Sequence, residues 1–256
     1  MYDTHVHTDF STDSKMKLEE AMAKATLDNK QLILTEHMDL NYPKPGEFIF
    51  DVNEYFKQYS QYRSDDLLLG LELGMTEECL GEGKKIVESH PFDFVLGSIH
   101  VVDNLDLYYE AFYKGKVKSE AYGKYLQAML VCVKNFHFVD SMGHIDYIAR
   151  YGRYEDKEIY YHEHAEIMDE IFRMLIANDT SIELNTRRFD KKDVIEKLLP
   201  IYKRYAELGG KHVTVGSDAH TPEAIGNAER LAKEFAESCK LKIVYYKERK
   251  IEYEKV

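Results

Sequence analysis

The residues best equipped for chemistry are histidines and carboxylates that recur at the ends of apolar runs. Gly216-Ser217-Asp218-Ala219-His220 follows the apolar run Val213-Thr214-Val215. An acid and a histidine, two residues apart, therefore sit just past a buried strand. His5-Val6-His7 does the same near the start of the chain. With one residue between them, two strand side chains share a face, so both imidazoles can reach one ion. Glu36-His37, Glu72, His100 and His144 each also close an apolar run. Glu72 lies inside a leucine-rich stretch, where a carboxylate is costly unless a cation offsets it. Asp13 falls in the first loop, where it either ligates or caps a helix. His162 and His164 repeat the His-x-His spacing on an expected helix, where residues two apart diverge, so they read as solvated. His90, His137 and His212 have no matching partner and are assigned to structure or solvent.

The favoured set is His5, His7, Asp13, His37, Glu72, His100, His144, Asp218 and His220. One zinc takes about four ligands, so a set this large implies two or three ions. Mixed imidazole and carboxylate ligation suits zinc, iron or manganese better than calcium or magnesium. Cysteine is absent from the strand ends, which argues against a purely structural zinc site.

These groups must be carried by repeated strands. Apolar runs predict strands over 2–6, 31–35, 67–73, 92–99, 138–142, 181–185 and 212–215, with a final strand or hairpin over 242–246 and 250–253. Helical stretches over 18–29, 52–62, 76–89, 120–135, 160–178, 193–208 and 222–238 alternate with them. Asp13 or Ser14 is the expected cap of the first helix. Residues 101–118 read as an irregular aromatic segment, and a basic loop runs through Arg150 and Arg153. Strand–helix alternation means a parallel sheet with helical crossovers. Ligands only at the C-terminal strand ends favour a closed or nearly closed barrel; an open doubly wound sheet is the runner-up.

Composition narrows the function. The chain has 256 residues and a net charge of −12, from 34 Lys+Arg against 46 Asp+Glu. That disfavours a nonspecific nucleic-acid binder, while bound metal still permits a small anionic substrate. Three scattered cysteines form no disulfide framework, which points to a reduced, cytoplasmic setting. Neither a secretory signal nor a membrane-spanning run is read. The whole of 1–256 is expected to form one domain.

The ordered motifs His5-Val6-His7, Asp13, Glu36-His37, Glu72, Gly97-Ser98-Ile99-His100, Gly143-His144-Ile145-Asp146 and Gly216-Ser217-Asp218-Ala219-His220 resemble the PHP (polymerase and histidinol phosphatase) family, most closely its histidinol-phosphate phosphatase branch. The resemblance implies a distorted (β/α)7 barrel with a trinuclear site. It implies one ion on His5, His7, Glu72 and Asp218, a second on Glu72, His100 and His144, and a third on Asp13, His37 and His220. Asp13, Glu72 and His220 form the expected catalytic set of a metal-dependent phosphomonoesterase, in which the ions acidify a water for in-line attack on phosphorus. Phosphate charge calls for the forked donor arginine. Arg150 and Arg187 are the expected substrate ligands, with Arg188 as the alternative. Loops bearing Tyr42, Phe48, Tyr108, Tyr109 and Phe112 would enclose an imidazole-bearing alcohol. The competing readings are a PHP phosphoesterase for phosphotyrosine or nucleotide phosphates, and a non-catalytic metal-binding module.

Overall fold

The computed structural model describes residues 1–253. The strand–helix alternation begins with β1 (Tyr2–Val6), α1 (Leu18–Leu27), β2 (Gln31–Met38), α2 (Val52–Tyr59), β3 (Leu67–Gly74), α3 (Leu80–Ser89) and β4 (Phe94–Ser98). A short hairpin of β5 (Val101–Val102) and β6 (Leu105–Asp106) precedes α4 (Glu110–Tyr113), α5 (Lys118–Val133), β7 (Ser141–Met142) and α6 (Tyr147–Tyr151). The chain continues through α7 (Ala165–Ala177), β8 (Ser181–Asn185), α8 (Lys192–Glu207), β9 (His212–Gly216), α9 (Glu229–Ser238) and the hairpin β10 (Lys242–Lys247) and β11 (Lys250–Tyr253).

The main sheet runs β1-β2-β3-β4-β7-β8-β9-β10-β11, parallel except for the last pair. Val6 bridges Ala219, and the His7 N–H donates to the Ala219 carbonyl at 2.9 Å. The first strand thereby meets the segment after β9, and the seven strands β1–β4 and β7–β9 make a distorted (β/α)7 barrel, to which β10 adds in parallel beside β9. Alternation sorts the strands' side chains. In β3, Leu67, Leu69, Leu71 and Leu73 enter the large core beneath the helices, while Leu68 joins a separate cluster with Tyr2, Ile33, Phe94, Leu96, Val244 and Tyr246. That second cluster is the lower barrel interior, with Val244 and Tyr246 supplied by β10. Glu72 has the inward parity of Leu68, four residues further toward the C-terminal end. The helices cover the outside with apolar stripes: α7 buries Met168, Ile171, Phe172 and Leu175, the spacing of one helix face.

Several boundaries differ from the sequence reading for local reasons. The expected strand over 138–142 shrinks to Ser141–Met142 because the Asp140 carboxylate accepts from the Val95 N–H at 2.7 Å and so replaces a ladder bond. β2 extends to Met38, which places Glu36 and His37 within the strand. The expected helix over 222–238 begins at Glu229, after Ala228 adopts a left-handed φ of 55°. Neither Asp13 nor Ser14 caps α1. Lys17 occupies that position and its N–H is taken by Glu20 at 2.8 Å, while the Ser14 hydroxyl donates to the His7 carbonyl. The basic loop after β7 contains the short helix α6, and the irregular aromatic segment contains the β5–β6 hairpin and α4. His162 is exposed, whereas His164 is half-buried and its ring stacks on Tyr122.

One outer contact has a pH signature. Arg204 on α8 donates from Nε (2.9 Å) and Nη2 (2.6 Å) to Asp169 on α7, which also accepts from the Tyr161 hydroxyl at 3.0 Å. Arg204 first, then Tyr161, holds the Asp169 carboxyl below its usual range against the opposing effect of burial. A depressed folded-state value means stability that is present above the unfolded value of about 3.9 and lost as pH falls through the folded one. Asp169→Asn is therefore expected to lower the urea midpoint at pH 7. The gap from wild type should close as the pH drops below about 4, and a pH-independent gap would show that packing, not charge, sets the effect.

Candidate metal centre and cavity

The top of the barrel interior gathers buried histidines and carboxylates from nearly every strand end. Glu72 is the hub. Its Oε2 lies 3.3 Å from His5 Nε2 and 3.5 Å from His7 Nε2. Its Oε1 lies 3.0 Å from His144 Nε2 and 3.3 Å from His100 Nε2. Asp218 Oδ1 approaches the same pair of nitrogens, at 3.8 Å from His5 and 3.6 Å from His7. At the rim, Asp13 joins His220 Nε2 (3.1 Å) and His37 Nε2 (3.5 Å). Each of the nine sequence-selected ligand candidates thus has its polar atoms in one connected cluster. Groups within it that could hold an ion include His5–His7–Glu72, Glu72–His100–His144, His5–His144–Asp218 and His7–His37–His220.

The inner nitrogens are aimed by groups behind them. His5 Nδ1 donates to Glu183 Oε1 at 2.6 Å, and His100 Nδ1 to Asp39 Oδ1 at 2.9 Å. His7 Nδ1 donates to the Ser11 hydroxyl at 3.0 Å, which passes its own proton toward Glu36 at 2.6 Å. Glu36 also takes the Thr8 N–H and hydroxyl, so it organises the first loop from outside the cluster. Each of the three Nδ1 atoms faces an acceptor, so in the neutral ring the proton sits on Nδ1 and Nε2 is the lone pair turned inward, the arrangement found behind metal-ligating histidines. Two glycines make room for the supporting carboxylates. A Cβ at residue 74 would stand 2.0 Å from Asp39 Oδ1, and one at residue 216 would stand 2.5 Å from Glu183 Oε1.

The donor set fits divalent ions. His5 Nε2 and His7 Nε2 are buried and have no hydrogen-bond partner among the described residues, Glu72 Oε2 has His37 Nδ1 at 2.9 Å, and unpartnered buried polar atoms are costly. The local field asks for positive charge as well. Burial works against a charged His5, yet Glu72, Glu183 and Asp218 together hold its pKa well above the ordinary value. His7 is driven well below by burial and by its neighbours His37, His220 and His5. Burial opposes ionisation of Glu72, but His5, His100 and His37 keep its pKa well below the usual range. Asp218 is likewise depressed against burial, by Arg150 first and then by His5 and Arg187. Its backbone is left-handed, with φ 57°. Strain of that kind persists only where surroundings over-determine it, and here both arginines hold its carboxylate.

Beside the cluster opens a cavity of about 460 Å³. Its metal-side wall is His37, His100, His144, Asp218 and His220, with Arg150 and Arg187 adjoining. Arg150 gives Nη1 to Asp218 Oδ2, while its buried Nε and Nη2 have no partner. The rest of the lining is aromatic and acidic: Tyr42, Tyr108, Tyr109 and Tyr151 with Glu47 and Asp106, and Tyr147 and Phe48, which pack against His100 and His144 and against His37. A larger cleft of about 770 Å³ lies behind the β5–β6 hairpin, but no histidine lines it.

The arginines separate. Arg187 reaches the Asp218 carboxylate at 3.1 Å and remains 43% exposed. Arg188 is turned away from the cavity into an ion cluster with Asp146 and Glu158. Phe112 is likewise absent from the cavity wall and lies fully buried in the outer core. Sequence reasoning passed over Asp39 and Glu183. Both had readable signals: Asp39 follows His37 by two residues, and Glu183 sits inside an apolar strand as Glu72 does.

Comparison with known proteins gives a consistent picture. The profile described as PHP domain matches residues 3–187, and that described as PHP-associated matches residues 202–240. A probable histidinol-phosphatase of Clostridium acetobutylicum is 49% identical over 253 residues, covering 99% of both chains. A histidinol-phosphatase of Lactococcus lactis is 35% identical, covering 85% of this chain and 83% of its own. The crystal structure of histidinol phosphate phosphatase from Lactococcus lactis, complexed with zinc, L-histidinol and phosphate, superposes with a TM-score of 0.92 at 32% identity and 98% coverage of each chain.

Proposed function

The chain belongs to the PHP family, and on that premise we propose that it hydrolyses L-histidinol phosphate to L-histidinol and phosphate, a step of histidine biosynthesis. It is a metal-dependent phosphoric monoester hydrolase using two or three divalent ions. The observation that carries the reading is a buried cluster of inward histidine and glutamate donors beside a cavity lined by His37, His144, Asp218 and Arg150, whose Nε and Nη2 have no partner.

We assign His5, His7, Glu72 and Asp218 to one ion, Glu72, His100 and His144 to a second, and Asp13, His37 and His220 to a third. Bound divalent ions supply Lewis acidity, polarising phosphoryl oxygens and acidifying water. The chain's own residues do the rest. Arg150, immobilised by Asp218, offers Nε and Nη2 to phosphoryl oxygens, and a forked guanidinium matches their geometry. Arg187 adds a second charge from the rim. Asp13 Oδ2 and His220 Nε2, 3.1 Å apart at the cavity mouth, would hold the third ion, with His220 Nδ1 donating to the Asp218 carbonyl. Tyr42, Tyr147 and Tyr151 shield the reacting end from water, and Asp106 and Glu47 set negative charge opposite the substrate's imidazole and amine.

One domain over 1–256 is our organisation of the chain. It is supported by a single sheet that takes strands from both matched regions. We place the protein in the cytoplasm, in keeping with its three free, buried cysteines and the biosynthetic role of its relatives. Its partner is a small phosphate ester; the net charge of −12 supports excluding nucleic acid, and no membrane partner is proposed. No described helix is long and apolar enough to cross a membrane.

The test is phosphate release from L-histidinol phosphate beside a panel of other phosphomonoesters, with metal counted per chain. Selective release is expected; equal or better turnover of another ester at full metal occupancy would overturn the substrate. Arg187→Ala is expected to raise KM roughly three- to tenfold with metal content unchanged. Loss of metal in that variant would remove Arg187 from the substrate site.

A further inference from the structure

We propose that Glu183 is a positioning residue shared by two of the ion sites, setting the aim of His5 and holding the backbone that carries His144. The inference rests on the metal-dependent reading above and deepens it. Glu183 is fully buried on β8. Its Oε1 takes His5 Nδ1–H at 2.6 Å, and its Oε2 takes the His144 backbone N–H at 2.7 Å and Asn185 Nδ2 at 3.2 Å. His5 belongs to the first proposed ligand set and His144 to the second, so a single carboxylate spans both.

The surroundings are shaped for this arrangement. At Gly216 a Cβ would stand 2.4 Å from His5 Cβ and 2.5 Å from Glu183 Oε1. Only a residue without that atom lets the carboxylate and imidazole meet. A buried carboxylate is a poor way to fasten strands, since an apolar group of similar volume does so at less cost. Its value here lies in being acceptor-only. Both main partners donate, and a carboxylate satisfies them together. With Nδ1 donating, His5 Nε2 is left facing Glu72 Oε2 at 3.3 Å. Glutamine has the same shape but one acceptor oxygen and one donor nitrogen. Glu183→Gln must therefore lose one of the two contacts while filling the same space. The third proposed set, Asp13, His37 and His220, receives none of these Glu183 hydrogen bonds and serves as the internal control.

The experiment strips wild type, Glu183→Gln and Glu183→Asp with chelator, then titrates each with Zn²⁺ against a chromophoric competitor. Melting of the stripped proteins is followed in parallel. In the Gln variant, binding steps are expected to weaken roughly 10- to 100-fold while at least one step keeps its wild-type constant. The stripped protein should melt close to wild type. The Asp variant, which keeps both acceptors on a shorter arm, should fall between the two. Unchanged constants, weakening shared equally by every step, or a matching loss of stability in the stripped protein would each overturn the proposal. If the stripped Gln variant does not fold, the Asp variant becomes the comparison and must show the same selective weakening. A wild type that takes up no Zn²⁺ overturns the metal-dependent reading and this inference with it; wild-type uptake with an unaltered Gln variant overturns this inference alone.

Discussion

Glu72→Gln should reduce kcat/KM by roughly 10³-fold, the equivalent of about 4 kcal/mol of transition-state stabilisation, and should lower the metal count per chain. The reason is the position of the carboxylate. Its two oxygens serve different groups, Oε2 facing His5 and His7 and Oε1 facing His144 and His100. Ser98 donates to Oε1 at 2.7 Å and limits its rotation. Glutamine keeps the volume and can still accept from Ser98, but it removes the charge that offsets a cluster of imidazoles. The measurement pairs elemental analysis with turnover on the same samples. A variant with full metal and near-native turnover would show that Glu72 does not bridge two ligand sets.

Arg150→Lys should lower kcat/KM roughly 10²- to 10³-fold, about 3–4 kcal/mol. Lysine retains the charge but not the fork. In the native protein Nη1 is committed to Asp218 while the buried Nε and Nη2 have no partner. A lysine ammonium placed against Asp218 has no fixed second edge to offer a phosphoryl group. Inhibition by inorganic phosphate should weaken in step with turnover. Undiminished phosphate inhibition alongside lost turnover would remove Arg150 from the anion site. Arg150→Ala adds a separate penalty, because it leaves Asp218 buried without its strongest partner, and such broken pairs cost about 3–5 kcal/mol of stability.

Much of this arrangement could be read from sequence because its residue types are expensive where they stand. A glutamate inside Leu67–Gly74, or paired histidines in Tyr2–Val6 and just beyond, makes little sense without a compensating cation. The strand-end pattern located them, and the fold brings them together. The supporting carboxylates were harder to recognise. Asp39 lies beyond the strand end expected at residue 35, and only the observed extension of β2 to Met38 puts it in line with His37. Glu183 carried the same signal as Glu72 but lacked a neighbouring motif. Arg187 and Arg188 divide according to the strand-end alternation, yet the partners of Arg188, Asp146 and Glu158, come from other segments. No local rule anticipates them. The same holds for the shortened β7, where a side chain replaces a backbone partner.

The closure of β1 against the segment after β9 also governs when the protein can become active. Asp3 accepts from the backbone of Ser217 and Gly226, each at 2.8 Å, and His7 pairs with Ala219. More than 210 positions separate these partners in the chain. While a ribosome still holds residues 212–226, His5 and His7 have no Asp218, and β1 remains an unpaired edge on one side. Completion of the first and third proposed ligand sets, which need Asp218 and His220, must then follow translation of this region. The long loop that must close to join the two regions makes that step slow relative to local helix formation. During that interval the leucine-rich strands depend on prompt folding, or on chaperones, to avoid self-association.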